Sequence, residues 1–230
     1  MASHGAPAGA RLAVLASGRG SNLQALLDAI ADGSLPAAVV GVFSDRPDAP
    51  ALAMVPEARR WSARPRDYAD RAAFDAALAD AVAAVAPDWV VCAGYMRILG
   101  GDFIARFAGR LLNIHPSLLP RHRGLHTHAA ALAAGDTEHG CSVHFVIPEL
   151  DAGSLIAQAR LPVEAGDTPE TLASRVLALE HRLLPAVLRL AVAGRLSERD
   201  GTTYVDGQPR FTPLTLDSLE RRMPHPEATP

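Results

Sequence analysis

The sequence predicts one α/β domain built on a Rossmann-like, mostly parallel sheet with helices on both faces. Three observations predict it. Short β-type runs alternate with longer amphipathic stretches, the run Trp89–Cys92 is apolar throughout as in a doubly covered sheet, and no linker or internal repeat divides the 230 residues. Hydrophobic residues make up 49% of the chain and charged residues 20%, a balance that suits a packed core.

The elements follow in order. Residues 1–10 read as a disordered leader, and Leu12 to Ala16 as the first strand. Asn22 to Ile30 is helical, with Leu23, Leu26, Leu27 and Ile30 on one side. Val39 to Phe43 is a second strand. Asp70 can cap a helix whose apolar face is Phe74, Ala77, Leu78, Ala81, Val82 and Val85, and Pro87 ends it. Trp89–Cys92 and Leu111–Ile114 are further strands. Cys141–Ile147 and Leu155–Val163 bracket a loop and can pair as neighbours. Thr168-Pro169-Glu170 opens a long helix with a cap, a first-turn proline and an acid at the positive dipole end. Leu172, Val176, Leu179, Leu183 and Val187 give that helix a buried face, and Pro185 should kink it. The domain spans residues 11–205, and residues 206–230 read as a polar, proline-rich tail.

A formal net charge of -3 provides no long-range attraction to nucleic acid or anionic lipid, so neither is an expected partner. The apolar start of the chain is far too short to span a membrane. Only Cys92 and Cys141 occur, which argues against a disulfide framework and for a reducing, cytoplasmic location. Whether the chain is a monomer or a homodimer is open.

Three segments can carry chemistry. Ser17-Gly18-Arg19-Gly20-Ser21-Asn22 joins a strand to a helix, where glycines admit a ligand and free amides favour a phosphate. It is neither a dinucleotide fingerprint nor a nucleotide P-loop, and a plain tight turn with a serine cap is the alternative. Asn113 and His115 share a face at the end of a strand that Pro116 breaks. An amide beside an imidazole suits acyl transfer, one stabilising an oxyanion and the other managing protons; a hydrogen-bonded strand end is the alternative. Asp151, in the loop Glu149–Gly153, is ordinary turn chemistry unless the fold brings it to His115. Six of the nine histidines fall between His115 and His144. Without His-Glu-x-x-His or Cys-x-x-Cys beside them, helix caps or solvent-facing positions are the favoured reading, and no metal is expected.

Taken together, these motifs resemble the folate-dependent formyltransferases. Ser17-Gly18-x-Gly20-Ser21-Asn22, Ala93-Gly94-Tyr95-Met96-Arg97-Ile98-Leu99 and Leu112 to Pro120 occur in that family's order. Gly124 to His128, Gly140 to Val146 and Leu150-Asp151-x-Gly153 continue it, over about residues 11 to 200. Within the family the resemblance is strongest to the purine-pathway branch that formylates the amine of glycinamide ribonucleotide from 10-formyltetrahydrofolate. Pro120-Arg121-His122-Arg123-Gly124 looks more like the loop of methionyl-tRNA formyltransferases, but the additional carboxy-terminal domain of that branch has no counterpart here. Formyltetrahydrofolate deformylases carry an extra domain before the core, which here begins near Arg11. A phosphate-ligand sensor and a metal hydrolase are the readings outside the family.

The resemblance implies roles by position. Asn113, His115 and Asp151 match the catalytic set. Gly20, Ser21 and Asn22 would hold the substrate phosphate, with Glu180 on the substrate amine or ribose. Arg71 and Met96, Arg97, Ile98 and Leu99 would line the folate site beside Asn113. Asp151 should favour a charged imidazole and raise the His115 pKa. Arg123 stands for a usual proline, Ala152 for a glycine and Ser154 for a proline, departures that touch loop shape rather than the chemistry.

Overall fold

The computed structural model describes residues 9–222; the expected leader at 1–8 and the last part of the expected tail, 223–230, lie outside the described residues. The chain runs through β1 (Ala10–Leu15), α1 (Ser21–Ala31), β2 (Ala37–Ser44), β3 (Arg60–Ser62), α2 (Arg71–Ala84) and β4 (Trp89–Cys92). It continues through α3 (Gly101–Arg106), β5 (Leu111–His115), α4 (Thr127–Ala133), β6 (Glu138–Phe145), β7 (Leu155–Pro162) and α5 (Pro169–Val192). The last elements are β8 (Leu196–Arg199), β9 (Thr202–Val205), β10 (Gln208–Arg210), β11 (Leu214–Thr215) and α6 (Leu216–Arg222).

Among the described residues the main sheet has eight strands in the order β11-β7-β6-β5-β4-β1-β2-β3. All neighbouring pairs are parallel except those of β6, which runs antiparallel to both β5 and β7. The alternation of a strand divides its side chains between two cores. In β1, Leu12 and Val14 join the core beneath α1 and α5, whereas Ala13 and Leu15 join Phe74, Leu78 and Val82 of α2 on the other face. This accounts for the uninterrupted apolar runs: every side chain from Leu12 to Leu15 and from Val90 to Cys92, whichever way it points, is buried, worth about 1.5–3 kcal/mol for a large one.

Local signals act where the sequence places them. The Asp70 carboxylate accepts the Ala73 N–H at 2.8 Å and starts α2. Thr168 and Thr171 cap each other's backbone at the start of α5. Pro185 lies inside α5 and does not divide it.

The polar-tail expectation gives way over 206–222. β8, β9 and β10 form a small antiparallel sheet, β11 adds to the edge of β7, and α6 buries Leu216 and Leu219 against the core under α5. Arg195 ties this region down through two contacts of 2.6 and 3.0 Å to Asp206. No helix among the described residues is long and apolar enough to cross a membrane.

Candidate active site

The strands β1, β4 and β5 end together, and the loops that follow them meet at one sheet edge, where open α/β sheets hold ligands. Ser17 joins three of the loops. Its hydroxyl donates to Asp45 at 2.5 Å and accepts the Met96 N–H at 2.9 Å, and its own N–H donates to the Gly94 carbonyl.

Asn113 and His115 lie on the same side of β5, as alternation requires, while Leu112 and Ile114 enter the opposite core. Pro116 then turns the chain into a loop held by several polar contacts. Ser117 Oγ donates to the Arg121 carbonyl at 2.7 Å, Ser142 Oγ to the Ser117 carbonyl at 2.7 Å, and Gln158 Nε2 to the Leu119 carbonyl at 2.8 Å. That loop delivers the His122 carbonyl to His115 Nε2 at 3.0 Å. A carbonyl only accepts, so Nε2 carries hydrogen and Nδ1 is the atom that titrates.

The β6–β7 connection brings Asp151 to this point. Its Oδ2 lies 3.5 Å from His115 Nδ1 and accepts the Gly124 N–H at 2.8 Å, and its Oδ1 lies 3.7 Å from His144 Nε2. Both carboxylate and imidazole are more than nine-tenths removed from solvent. The three residues that the sequence singled out, Asn113, His115 and Asp151, therefore converge.

His144 was not singled out as a site residue, and it belongs here. It pairs directly with Asn113 across the antiparallel β5–β6 ladder. Its Nδ1 lies 2.7 Å from the Phe145 carbonyl and must donate, so in the neutral ring Nε2 accepts from Asn113 Nδ2 at 3.1 Å. This fixes the amide with its nitrogen toward His144, one N–H engaged and the second still available. Gly153 is also required. A Cβ there would stand 1.8 Å from the Phe145 carbonyl oxygen, so no larger residue lets the Asp151 loop close over β6.

The electrostatics correct one expectation. Burial pushes the His115 pKa below the ordinary histidine range; the His122 carbonyl and Asp151 pull it up, and the His144 ring pulls it down again. The expected upward shift is reversed because desolvation of the imidazolium outweighs a carboxylate 3.5 Å away. Burial alone would raise Asp151, but the His144 ring, the Gly124 N–H and the His115 ring hold it below the usual carboxylate range. The resting arrangement is a neutral imidazole beside an ionised carboxylate.

At the loop after β1, Gly20 takes a left-handed φ of 81°, and a Cβ there would approach Ala51 to 2.8 Å. The first helical bond of α1 runs from the Gln24 N–H to the Gly20 carbonyl, so the amides of Ser21, Asn22 and Leu23 precede it, as an anion-binding helix start requires. The Asn22 side chain is buried and donates from Nδ2 to Glu180 Oε2 of α5 at 2.6 Å. Burial raises the Glu180 pKa above the usual carboxylate range, and the Asn22 hydrogen bond opposes this.

The loop after β4 presents Met96, 66% exposed, and Ile98, 53% exposed, as an apolar rim. Arg71 donates to the Ile98 carbonyl at 2.7 Å. Arg97 folds back over the Phe74 ring, and Leu99 is buried in the core beneath α2, so neither offers the open side chain that Met96 and Ile98 do. The histidine cluster is largely occupied with itself and its neighbours. His128 Nδ1 lies 3.1 Å from His139 Nε2, and His122 Nε2 lies 2.8 Å from Asp136.

The formyl transferase family model matches residues 10–188. The chain belongs to the formyl transferase family. Its relatives narrow the position within that family. It is 45% identical over 199 residues to the phosphoribosylglycinamide formyltransferase of Escherichia coli, covering 86% of this chain and 94% of that one. It is 48% identical over 190 residues to the enzyme of the same name from Mycobacterium tuberculosis, covering 80% and 86%. Among solved structures, the phosphoribosylglycinamide formyltransferase of Coxiella burnetii superposes with a TM-score of 0.84 at 43% identity, over 90% of this chain and 99% of that one. The family resemblance and the fold class read from the sequence are both borne out.

Proposed function

We propose that this formyl transferase moves the formyl group of 10-formyltetrahydrofolate to the amine of glycinamide ribonucleotide. One observation carries the assignment of roles: Asp151, far along the chain from the β5 pair Asn113 and His115, meets them in a desolvated cluster at the ligand edge of the sheet. The relatives' shared activity supports the choice of acceptor.

In this reading the substrate amine is the nucleophile and no protein side chain becomes acylated. The amine attacks the formyl carbon, and the carbonyl oxygen becomes an oxyanion. The second Asn113 N–H and the His115 ring stabilise that oxygen, acting where its charge develops. His115 is neutral at rest, so the proton that charges it comes from the attacking amine, and Asp151 beside Nδ1 stabilises the resulting imidazolium. The proton then passes to the departing folate nitrogen as the tetrahedral intermediate collapses. The N–H that His115 directs at the His122 carbonyl would be exchanged onto the oxyanion during this step.

The amides at Gly20, Ser21 and Asn22 would bind the acceptor phosphate, and Glu180 would orient its amine or ribose. Met96 and Ile98 fit the apolar ring of a folate, with Arg71 supporting their loop. Two bound substrates held in register remove much of the entropic barrier. The acceptor is tested by supplying 10-formyltetrahydrofolate with glycinamide ribonucleotide, with methionyl-tRNA, or with water alone. Tetrahydrofolate release that requires glycinamide ribonucleotide supports the proposal. Release with water alone would instead support a deformylase, and release only with the tRNA the other transferase.

A further inference from the structure

A second crevice, of about 250 Å³, lies between the Asp151 loop and the small β8–β9–β10 sheet. Its walls include Ser154, Leu155, Thr203, Arg210, Phe211 and Pro213. Three buried polar atoms on that wall have no hydrogen-bond partner among the described residues: Ser154 Oγ, Thr203 Oγ1 and Arg210 Nε. Buried donors and acceptors are almost always satisfied, so three orphans around one crevice indicate a place where a polar ligand completes them. Thr203 is the strongest of the three, at 1% exposed.

The register explains why they converge. Thr203 and Arg210 are direct partners across the antiparallel β9–β10 ladder, so both side chains leave the same face of the small sheet. Ser154, three residues after Asp151, lines the same crevice from just before the start of β7. Glu198 is the β8 partner of Thr203 on that face, but its carboxylate is turned onto the Gly201 N–H at 2.6 Å. The lining therefore contains one guanidinium, hydroxyl groups and no carboxylate. Phe211 stands at the rim with 86% of its surface exposed, a platform for an apolar portion of a ligand.

We propose that this crevice binds a small oxyanion, a carboxylate or a phosphoryl group, through Ser154, Thr203 and Arg210. A guanidinium N–H and two hydroxyl donors match such an acceptor group, and the charge-assisted contact from Arg210 contributes most. The site is independent of the substrate phosphate loop, which lies at Gly20 to Asn22 beyond β1.

The test is amide chemical-shift titration of the full chain with inorganic phosphate and, in a second arm, with acetate. Saturable shifts at residues 201–213 and 152–155 are expected with at least one probe, and the arm that saturates at lower concentration identifies the preferred group. Arg210→Gln and Thr203→Val should abolish these shifts. Phosphate shifts at residues 18–22 should persist in both variants, which separates this site from the substrate loop. Ser154→Ala removes a hydroxyl and Thr203→Val exchanges one for a methyl of similar size, so they decide the matter if Arg210→Gln does not fold. Shifts that are absent, that never saturate (an adventitious ion only), or that survive unchanged in these variants would overturn the proposal.

Discussion

Asn113 and His144 face each other across the β5–β6 ladder, with Asn113 Nδ2 3.1 Å from His144 Nε2. The contact decides which end of the Asn113 amide points to the ligand edge, because the Phe145 carbonyl at 2.7 Å has already committed His144 Nδ1 as a donor. His144 thus acts on chemistry through Asn113. Asn113→Ala should lower kcat by about 100-fold, as for loss of an oxyanion donor. His144→Ala should lower it by roughly tenfold, with KM for both substrates nearly unchanged. Steady-state kinetics of the double variant check the coupling: it should be little worse than Asn113→Ala alone, and additive losses would mean that His144 acts elsewhere.

His115 titrates below the ordinary histidine range because it is buried, and Asp151 moderates that shift. Removing the carboxylate charge with Asp151→Asn should move the His115 pKa further down, measured by following its ring resonances against pH. The sign for stability follows. A histidine with a depressed folded pKa contributes stability that is present above its unfolded value of about 6.5 and lost as pH falls through the folded value. His139 is depressed to about 4 by burial and by the His128 and His122 rings. Thermal melts should accordingly drop as pH falls from about 6.5 toward 4.

Much of the site was legible because alternation along one strand puts Asn113 and His115 on one face. Asp151 required the antiparallel β6–β7 pairing, which the two apolar runs suggested without fixing the loop's direction. His144 was not legible as a partner, since its role depends on cross-strand register, and β6 is buried on both faces, so no alternation along it marks that register. The two-residue strand β11 was missed for a related reason. It is too short to show a period, and only the exposed edge of β7 makes it a strand. The direction of the His115 shift was misread because the charged neighbour could be anticipated while the depth of burial could not.

Glu180 is buried with a raised pKa, held by Asn22 Nδ2 at 2.6 Å. A carboxyl raised in the folded state contributes stability below its unfolded pKa and loses it as pH rises through the folded value. Glu180→Gln keeps an acceptor for Asn22 without the ionisation cost. Its melting temperature should therefore exceed wild type near neutral pH, with the gap closing in acid, while its KM for glycinamide ribonucleotide rises. A variant less stable than wild type at neutral pH would contradict this account of the pair.

The glycines of the first loop separate structure from binding. Gly20 cannot be enlarged cleanly, since its left-handed φ and the 2.8 Å approach to Ala51 make any side chain strained; Gly20→Val should lower the melting temperature, at a cost of about 1–3 kcal/mol. A Cβ on Gly18 meets nothing within 4 Å. Gly18→Val should leave stability near wild type and raise KM for glycinamide ribonucleotide by about tenfold or more, with KM for the folate unchanged. Each tenfold step corresponds to about 1.4 kcal/mol of lost binding. Unchanged nucleotide affinity in a folded Gly18→Val protein would remove this loop from the phosphate site.

The central claim is that the Asn113–His115–Asp151 cluster carries formyl transfer to an amine. Single-turnover formyl transfer from 10-formyltetrahydrofolate to saturating glycinamide ribonucleotide, with wild type and His115→Ala compared side by side, tests it most directly. Wild type should release one tetrahydrofolate per formylated acceptor, and His115→Ala should be slower by about 100- to 1000-fold with both substrates still bound. Full-rate transfer by His115→Ala, or no transfer by the folded wild-type protein, would contradict it.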